Sequence, residues 1–113
     1  MAYDPDLTER FRAALGSRIP YDEKRMMGEV CFLWNGHMIG TCGRGKSGRR
    51  RFLFRVGKAA MAEALERPGA APMVHGGRTM GGFVSVDEAA CDPSALTGWL
   101  DLALAFVETL PPK

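Results

Sequence analysis

No apolar run in this 113-residue chain approaches the ~20 residues a membrane helix needs. The opening residues, Met1-Ala2-Tyr3-Asp4-Pro5-Asp6, are acidic where a secretion signal would be basic, and no apolar stretch follows them. Cysteine is scarce, and its count of three (Cys31, Cys42, Cys91) is odd, so a full disulfide framework is excluded and reduced thiols in a cytoplasm are expected. There is no C-x-x-C and no H-x-x-x-H, and His37 and His75 stand far apart, so the spacing offers no metal site. Gly-x-Ser-x-Gly is absent as well. The expectation is a protein with no catalytic constellation, no cofactor and no membrane contact.

What is present is ordinary in amount. Hydrophobic residues make up 46% and charged residues 25%, close to the averages for globular proteins, and the length suits one domain over residues 1–113. The placement of charge is less ordinary. Segment 44–51 holds Arg44, Lys46, Arg49, Arg50 and Arg51, five of the 15 basic residues and none of the 13 acidic ones. The formal net charge is +2, so the rest of the chain carries −3. A mildly acidic body with one basic, glycine-laced segment asks for a functional explanation.

Asp4-Pro5 is a helix start, because aspartate accepts from free N–H groups and proline at the first helical position loses no bond. Leu7, Phe11, Ala14 and Leu15 follow at helical spacing and Gly16 suits the stop, which predicts a helix over 5–15. Beyond Pro20 the chain is read as extended. Val30–Trp34 and His37–Thr41 flank Asn35-Gly36, the dipeptide favoured in a two-residue hairpin turn. That turn pairs Trp34 with His37, Leu33 with Met38, Phe32 with Ile39 and Cys31 with Gly40. One hairpin face then shows Val30, Phe32, Trp34 and Ile39, the other Cys31, Leu33, Met38 and Cys42. Both are apolar, so both call for cover: helices on one side, and a loop, terminus or second subunit on the other. Residues 52–56 read as a third strand, 58–66 as a short helix, 72–80 as loop and irregular strand, and 83–86 as a last strand. Asp92-Pro93 repeats the helix start, and Leu96, Trp99, Leu100, Ala103, Phe106, Val107 and Leu110 give an amphipathic helix up to Pro111-Pro112. The order helix, strands, helix, strand, helix describes a two-layer α+β domain with a mainly antiparallel sheet.

Three features invite a functional reading. Gly40–Ser47 satisfies the phosphate-loop spacing G-x-x-x-x-G-K-S, which requires strand, loop and helix in that order. Here Gly48-Arg49-Arg50-Arg51 and a strand follow instead, which leaves nucleotide binding as a remote alternative. The same basic residues suit phosphate, since the guanidinium fork binds it in bidentate fashion; a weak nucleic-acid contact is weighed against a solvated hairpin loop. Gly76-Gly77 and Gly81-Gly82, around Arg78-Thr79-Met80, either bring backbone close to a ligand or serve a turn or bulge.

The ordered set of segments also carries a resemblance. A helix, Glu23-Lys24-Arg25-Met26-Met27-Gly28, the Asn35-Gly36 hairpin, Phe52-Leu53-Phe54-Arg55-Val56-Gly57, Arg67-Pro68-Gly69-Ala70 and Met80-Gly81-Gly82-Phe83-Val84-Ser85-Val86 follow one another. An amphipathic helix then runs into Leu110-Pro111-Pro112-Lys113. Over nearly its whole length the chain resembles the N-terminal domain of the TfoX/Sxy family in its short stand-alone form. The resemblance implies a two-layer α+β fold and no catalytic activity. It also implies regulation of the kind exercised by longer members, which act in DNA-uptake competence with the cyclic-AMP receptor protein at promoters. The sequence departs from the family pattern at Met27 (usually phenylalanine), at Glu29 (usually glycine) and in the longer, more basic connection from Gly43 to Arg51. The expected function is a regulatory or adaptor domain with a protein partner, with homodimerisation through an apolar sheet face or the hairpin.

Overall fold

The computed structural model describes residues 4–26, 28–44 and 48–112. Helix α1 spans Pro5–Leu15. Six strands follow: β1 (Asp22–Met26), β2 (Glu29–Trp34), β3 (His37–Arg44), β4 (Arg50–Arg55), β5 (Ala70–His75) and β6 (Arg78–Asp87). A 3₁₀ turn (Lys58–Ala60) and the one-turn α2 (Met61–Ala64) connect β4 to β5, and α3 spans Pro93–Val107. The strands form one antiparallel sheet in the order β1-β2-β3-β4-β6-β5. Both long helices lie on one face of it, packed on each other and on β3 and β4. This is the two-layer α+β arrangement expected from the sequence, and no helix of the described residues is long and apolar enough to cross a membrane.

The helix ends follow from their caps. Asp4 accepts the Leu7 N–H at 3.1 Å, and Asp92 accepts the Ala95 N–H at 2.8 Å. Gly16 ends α1 at φ 51, a backbone state that costs glycine little. Leu7, Phe11 and Leu15 from α1 meet Leu96, Trp99, Leu100 and Ala103 from α3 above Val30, Phe32, Phe52, Phe54, Val84 and Val86 of the sheet. The Phe11 ring stacks on Phe32 at 4.1 Å between centroids, and Phe54 stacks on Trp99 at 5.4 Å. Such pairs contribute about 0.5–1.5 kcal/mol beyond the area they bury.

The structure changes four of the expected details. Asn35 (φ 53) and Gly36 (φ 82) make the turn that was expected, and Trp34 pairs with His37 and Leu33 with Met38. Beyond that pair a bulge intervenes: Phe32 faces Gly40, Cys31 faces Thr41 and Val30 faces Cys42. Ile39 is the extra residue, so the expected Phe32–Ile39 and Cys31–Gly40 pairs do not form. Cys42 therefore sits on the helix-covered face beside Val30, whereas Cys31 points away from it; the two thiols do not share a face. The second change is at 72–80, where the loop and irregular strand expected prove to be a regular hairpin closed by Gly76-Gly77 (φ 60 and 78), with β5 starting at Ala70 as an edge strand that tolerates Pro72. The third is the helix expected over 58–66, which is two short turns closed by i→i+3 bonds from Glu66 N–H to Glu63 O and from Arg67 N–H to Ala64 O.

The fourth change concerns the second sheet face. Cys31, Thr41 and Leu53 lie in one row across β2, β3 and β4 and are each under a tenth exposed. Arg51 reaches over that face, with Nη2 at 3.2 Å from Glu29 Oε2 and Nη1 at 3.4 Å from Met73 Sδ. The row is thus buried under side chains of the sheet itself. Among the described residues the large apolar side chains left exposed are Met26, Leu65, Val74 and Met80.

Candidate functional site

The basic segment is the end of one hairpin. Gly40–Arg44 belongs to β3 and β4 starts at Arg50, so strand follows loop and the helix that a phosphate loop needs is not there. Gly40 has a packing reason to be glycine: a Cβ on it would stand 2.3 Å from the Leu53 carbonyl oxygen. Lys46 and Ser47 lie outside the described residues.

The four described arginines of the segment all turn to carboxylates of this chain. Arg50 holds Asp4 (Nε to Oδ2 2.8 Å) and Asp6 (Nη2 to Oδ2 2.6 Å), with Glu88 at 3.5 Å. Arg44 lies 3.7 Å from the same Asp4 carboxylate, Arg49 pairs with Asp87, and Arg51 pairs with Glu29. The hydrogen bond from Arg50 lowers the Asp4 carboxyl below its ordinary value, against the opposing pull of burial. Asp87 is lowered too, first by the Ala89 N–H and then by Arg49. The positive excess seen in the sequence is therefore matched in space by carboxylates 38 to 46 residues away for Arg49 and Arg50. A phosphate arriving here would compete with those carboxylates for each guanidinium.

The cysteines are inert by placement. All three are buried and free, and burial pushes the Cys42 thiol up to about 12 and the Cys91 thiol up to about 11.

Two further surfaces remain, and the glycine pairs noted in the sequence fall on them. The first is the tip of the β5–β6 hairpin. Pairing with β4 ends at Phe83, so Arg78–Gly81 run on as a ribbon whose strand pairs among the described residues are with β5, Val74–Thr79 and His75–Arg78. Val74 on it is 57% exposed and Met80 40%. The opposite edge strand, β1, is Asp22-Glu23-Lys24-Arg25-Met26, whose charges discourage edge-to-edge pairing. The apolar ribbon has no such charged run.

The second is a groove of about 400 Å³ where β4 ends, lined by Arg55, Gly57, Lys58, Gly81, Phe83 and Phe106 among others. Gly82 O accepts from the N–H groups of Val56 (2.8 Å) and Gly57 (3.1 Å), which ties the bulged glycine pair of β6 to the end of β4. The expectation that Gly81-Gly82 serves a bulge or a close backbone approach thus falls at the groove wall. Arg55 was legible only as a charge between two buried apolar residues, Phe54 and Val56, and nothing marked its neighbours Phe83 and Phe106 in advance.

Residues 13–107 match the family model described as the TfoX N-terminal domain. No curated protein and no solved structure matches the chain.

Proposed function

The chain belongs to the TfoX N-terminal domain family, and we propose that it works as a non-enzymatic regulatory or adaptor domain that acts by protein contact. The observation that carries this reading is the β5–β6 ribbon, which holds Val74 and Met80 out in solvent beyond the sheet. Exposed apolar side chains on a projecting, rigidly paired element suit a protein partner, because their burial contributes about 25 cal/mol per Å². Arg44, Arg49, Arg50 and Arg51 each face a carboxylate of this chain that would compete with phosphate for them, which favours a protein over nucleic acid as the first partner. Three buried free thiols fit a reducing cytoplasm as the place where it acts.

The test is capture from a nuclease-treated extract of cells that carry the protein, with the wild-type chain and the Val74→Asp/Met80→Asp double variant side by side. The variant should keep its stability within about 0.5 kcal/mol, as exposed substitutions do. The expected result is a protein held by the wild type at high salt and lost from the variant; a further copy of this chain is one identity it can have. Retention of the same proteins by both, or of none by either, counts against the ribbon as the contact surface.

A further inference from the structure

We propose that the groove at the end of β4 binds a small organic anion, a flat apolar body that carries one carboxylate or phosphate head. The starting observation is a contrast among the arginines. Eight of them, Arg10, Arg12 and Arg50 included, hold a carboxylate of this chain. Arg55 holds none among the described residues. Its guanidinium instead lies against two rings, 5.9 Å from the centroid of Phe83 and 5.5 Å from that of Phe106. A cation–π contact of this kind makes no hydrogen bond, so the guanidinium N–H groups keep their capacity to bind a carboxylate or phosphate in bidentate fashion. A side chain lying against two rings has less rotamer freedom to lose when a ligand arrives than one in open solvent.

The other parts of the groove complete the description of the ligand. Lys58 supplies a second positive charge, and its stem lies so close to the strand that a Cβ on Gly81 would come within 3.0 Å of Cε. Among the described residues no Asp or Glu lines the groove, so both charges face it without a carboxylate there. Phe83 and Phe106 form apolar walls, which call for a flat, poorly hydrated body next to the head. Gly57 (φ 85) and Gly82 (φ 89) hold conformations that favour glycine, and a Cβ on Gly57 would meet Phe106 Cδ1 at 2.4 Å. The backbone is therefore shaped around the ring as a built feature, of the kind that bulges near sites provide. A volume of about 400 Å³ lies in the range of small-molecule sites and is too small for a duplex.

The test uses the full ¹⁵N-labelled chain and three probes: 2-naphthoate, 2-naphthyl phosphate and the uncharged 2-naphthol. At least one of the two anions should shift the amides of Gly57, Lys58, Gly81 and Gly82 in a saturable way with a submillimolar Kd, and the tighter one names the head. Binding of 2-naphthol should be at least about ten-fold weaker, and Arg55→Gln should weaken the better anion by about ten-fold or more, as loss of a charge-assisted bidentate pair does. Should that variant fail to fold, Lys58→Met serves in its place, with a loss of about three-fold or more expected from its exposed charge. The proposal is overturned if neither anion moves the groove amides at about 5 mM, if 2-naphthol binds as well as both anions, if the shifts fall on residues 44–51, or if the folded variant binds as the wild type does.

Discussion

Asp4 and Arg50 are joined at 2.8 Å across 46 residues of sequence, and the same Asp4 carboxylate also caps α1 through the Leu7 N–H. One side chain, 6% exposed, thus fastens the first helix to the basic strand. Removing it should cost more than an ordinary cap. Asp4→Ala is expected to lower stability by about 2–3 kcal/mol, the sum of a lost cap and a lost charge-assisted bond, and Asp4→Asn, which keeps an acceptor, by about 1 kcal/mol. Equilibrium urea unfolding at pH 7 measures both.

The same pair gives a pH dependence with a definite sign. Arg50 holds the folded Asp4 carboxyl below its ordinary 3.8. A carboxyl depressed on folding contributes stability that is fully present above the unfolded value and is lost as pH falls through the folded one. Stability should therefore decline on acidification below about pH 4, and less steeply in Asp4→Asn, which has nothing to protonate there. Urea midpoints from pH 7 down to pH 2.5 check this; equal slopes in the two proteins would contradict it.

Glycine substitutions separate two causes of damage. Gly40→Ala places a methyl 2.3 Å from a backbone oxygen in the middle of the sheet, where neither strand has room to move. A loss of about 3 kcal/mol is expected, at the upper end for overpacking. Gly48→Ala has nothing within 4 Å and meets only the positive φ of 82, which costs about 1–2 kcal/mol. Thermal unfolding of the two variants should rank them in that order.

The thiols offer a chemical test of the packing. With Cys42 held at about 12 and Cys91 at about 11 by burial, and Cys31 also raised, almost no thiolate exists at pH 8. Reaction with an aromatic disulfide reagent should be slow in the native protein and release three equivalents at once in denaturant. A fast native equivalent would mean that one of these side chains is not where the fold places it.

The local signals in the sequence were the reliable ones. Asp4-Pro5, Gly16, Asn35-Gly36 and Asp92-Pro93 each act through their own backbone chemistry, and the structure has a cap or turn at every one. The bulge at Ile39 was not legible because Val30-Cys31-Phe32-Leu33 is apolar on both faces. A strand without alternation gives pairing register nothing to hold on to. β5 was read only as loop and irregular strand from Pro72 on, because Ala70, Ala71 and Pro72 are poor strand formers, accepted here only at an edge. The charge pattern misled for a different reason. Asp4, Asp6, Glu29, Asp87 and Glu88 are scattered along the chain, and folding alone brings them to the arginines of segment 44–51. Arg55 drew no attention because it stands singly, yet the fold lays it beside two rings, with no carboxylate paired to it among the described residues.

In the proposed function the domain makes its contacts through the β5–β6 ribbon and not through the arginine segment. The most direct measurement is a titration of a fluorescent duplex and a single strand with the wild-type chain at about 50 mM salt, repeated with Arg44→Gln and with the Val74→Asp/Met80→Asp variant. Proteins that bind DNA through free cations reach non-specific Kd values of about 10⁻⁴–10⁻⁶ M even at physiological salt. No saturable binding is expected up to about 100 μM for any of the three proteins, because carboxylates of the chain compete with phosphate for the arginines. Micromolar binding that falls steeply with salt and weakens in Arg44→Gln would contradict it, and would mean that phosphate displaces Asp4 from its arginines.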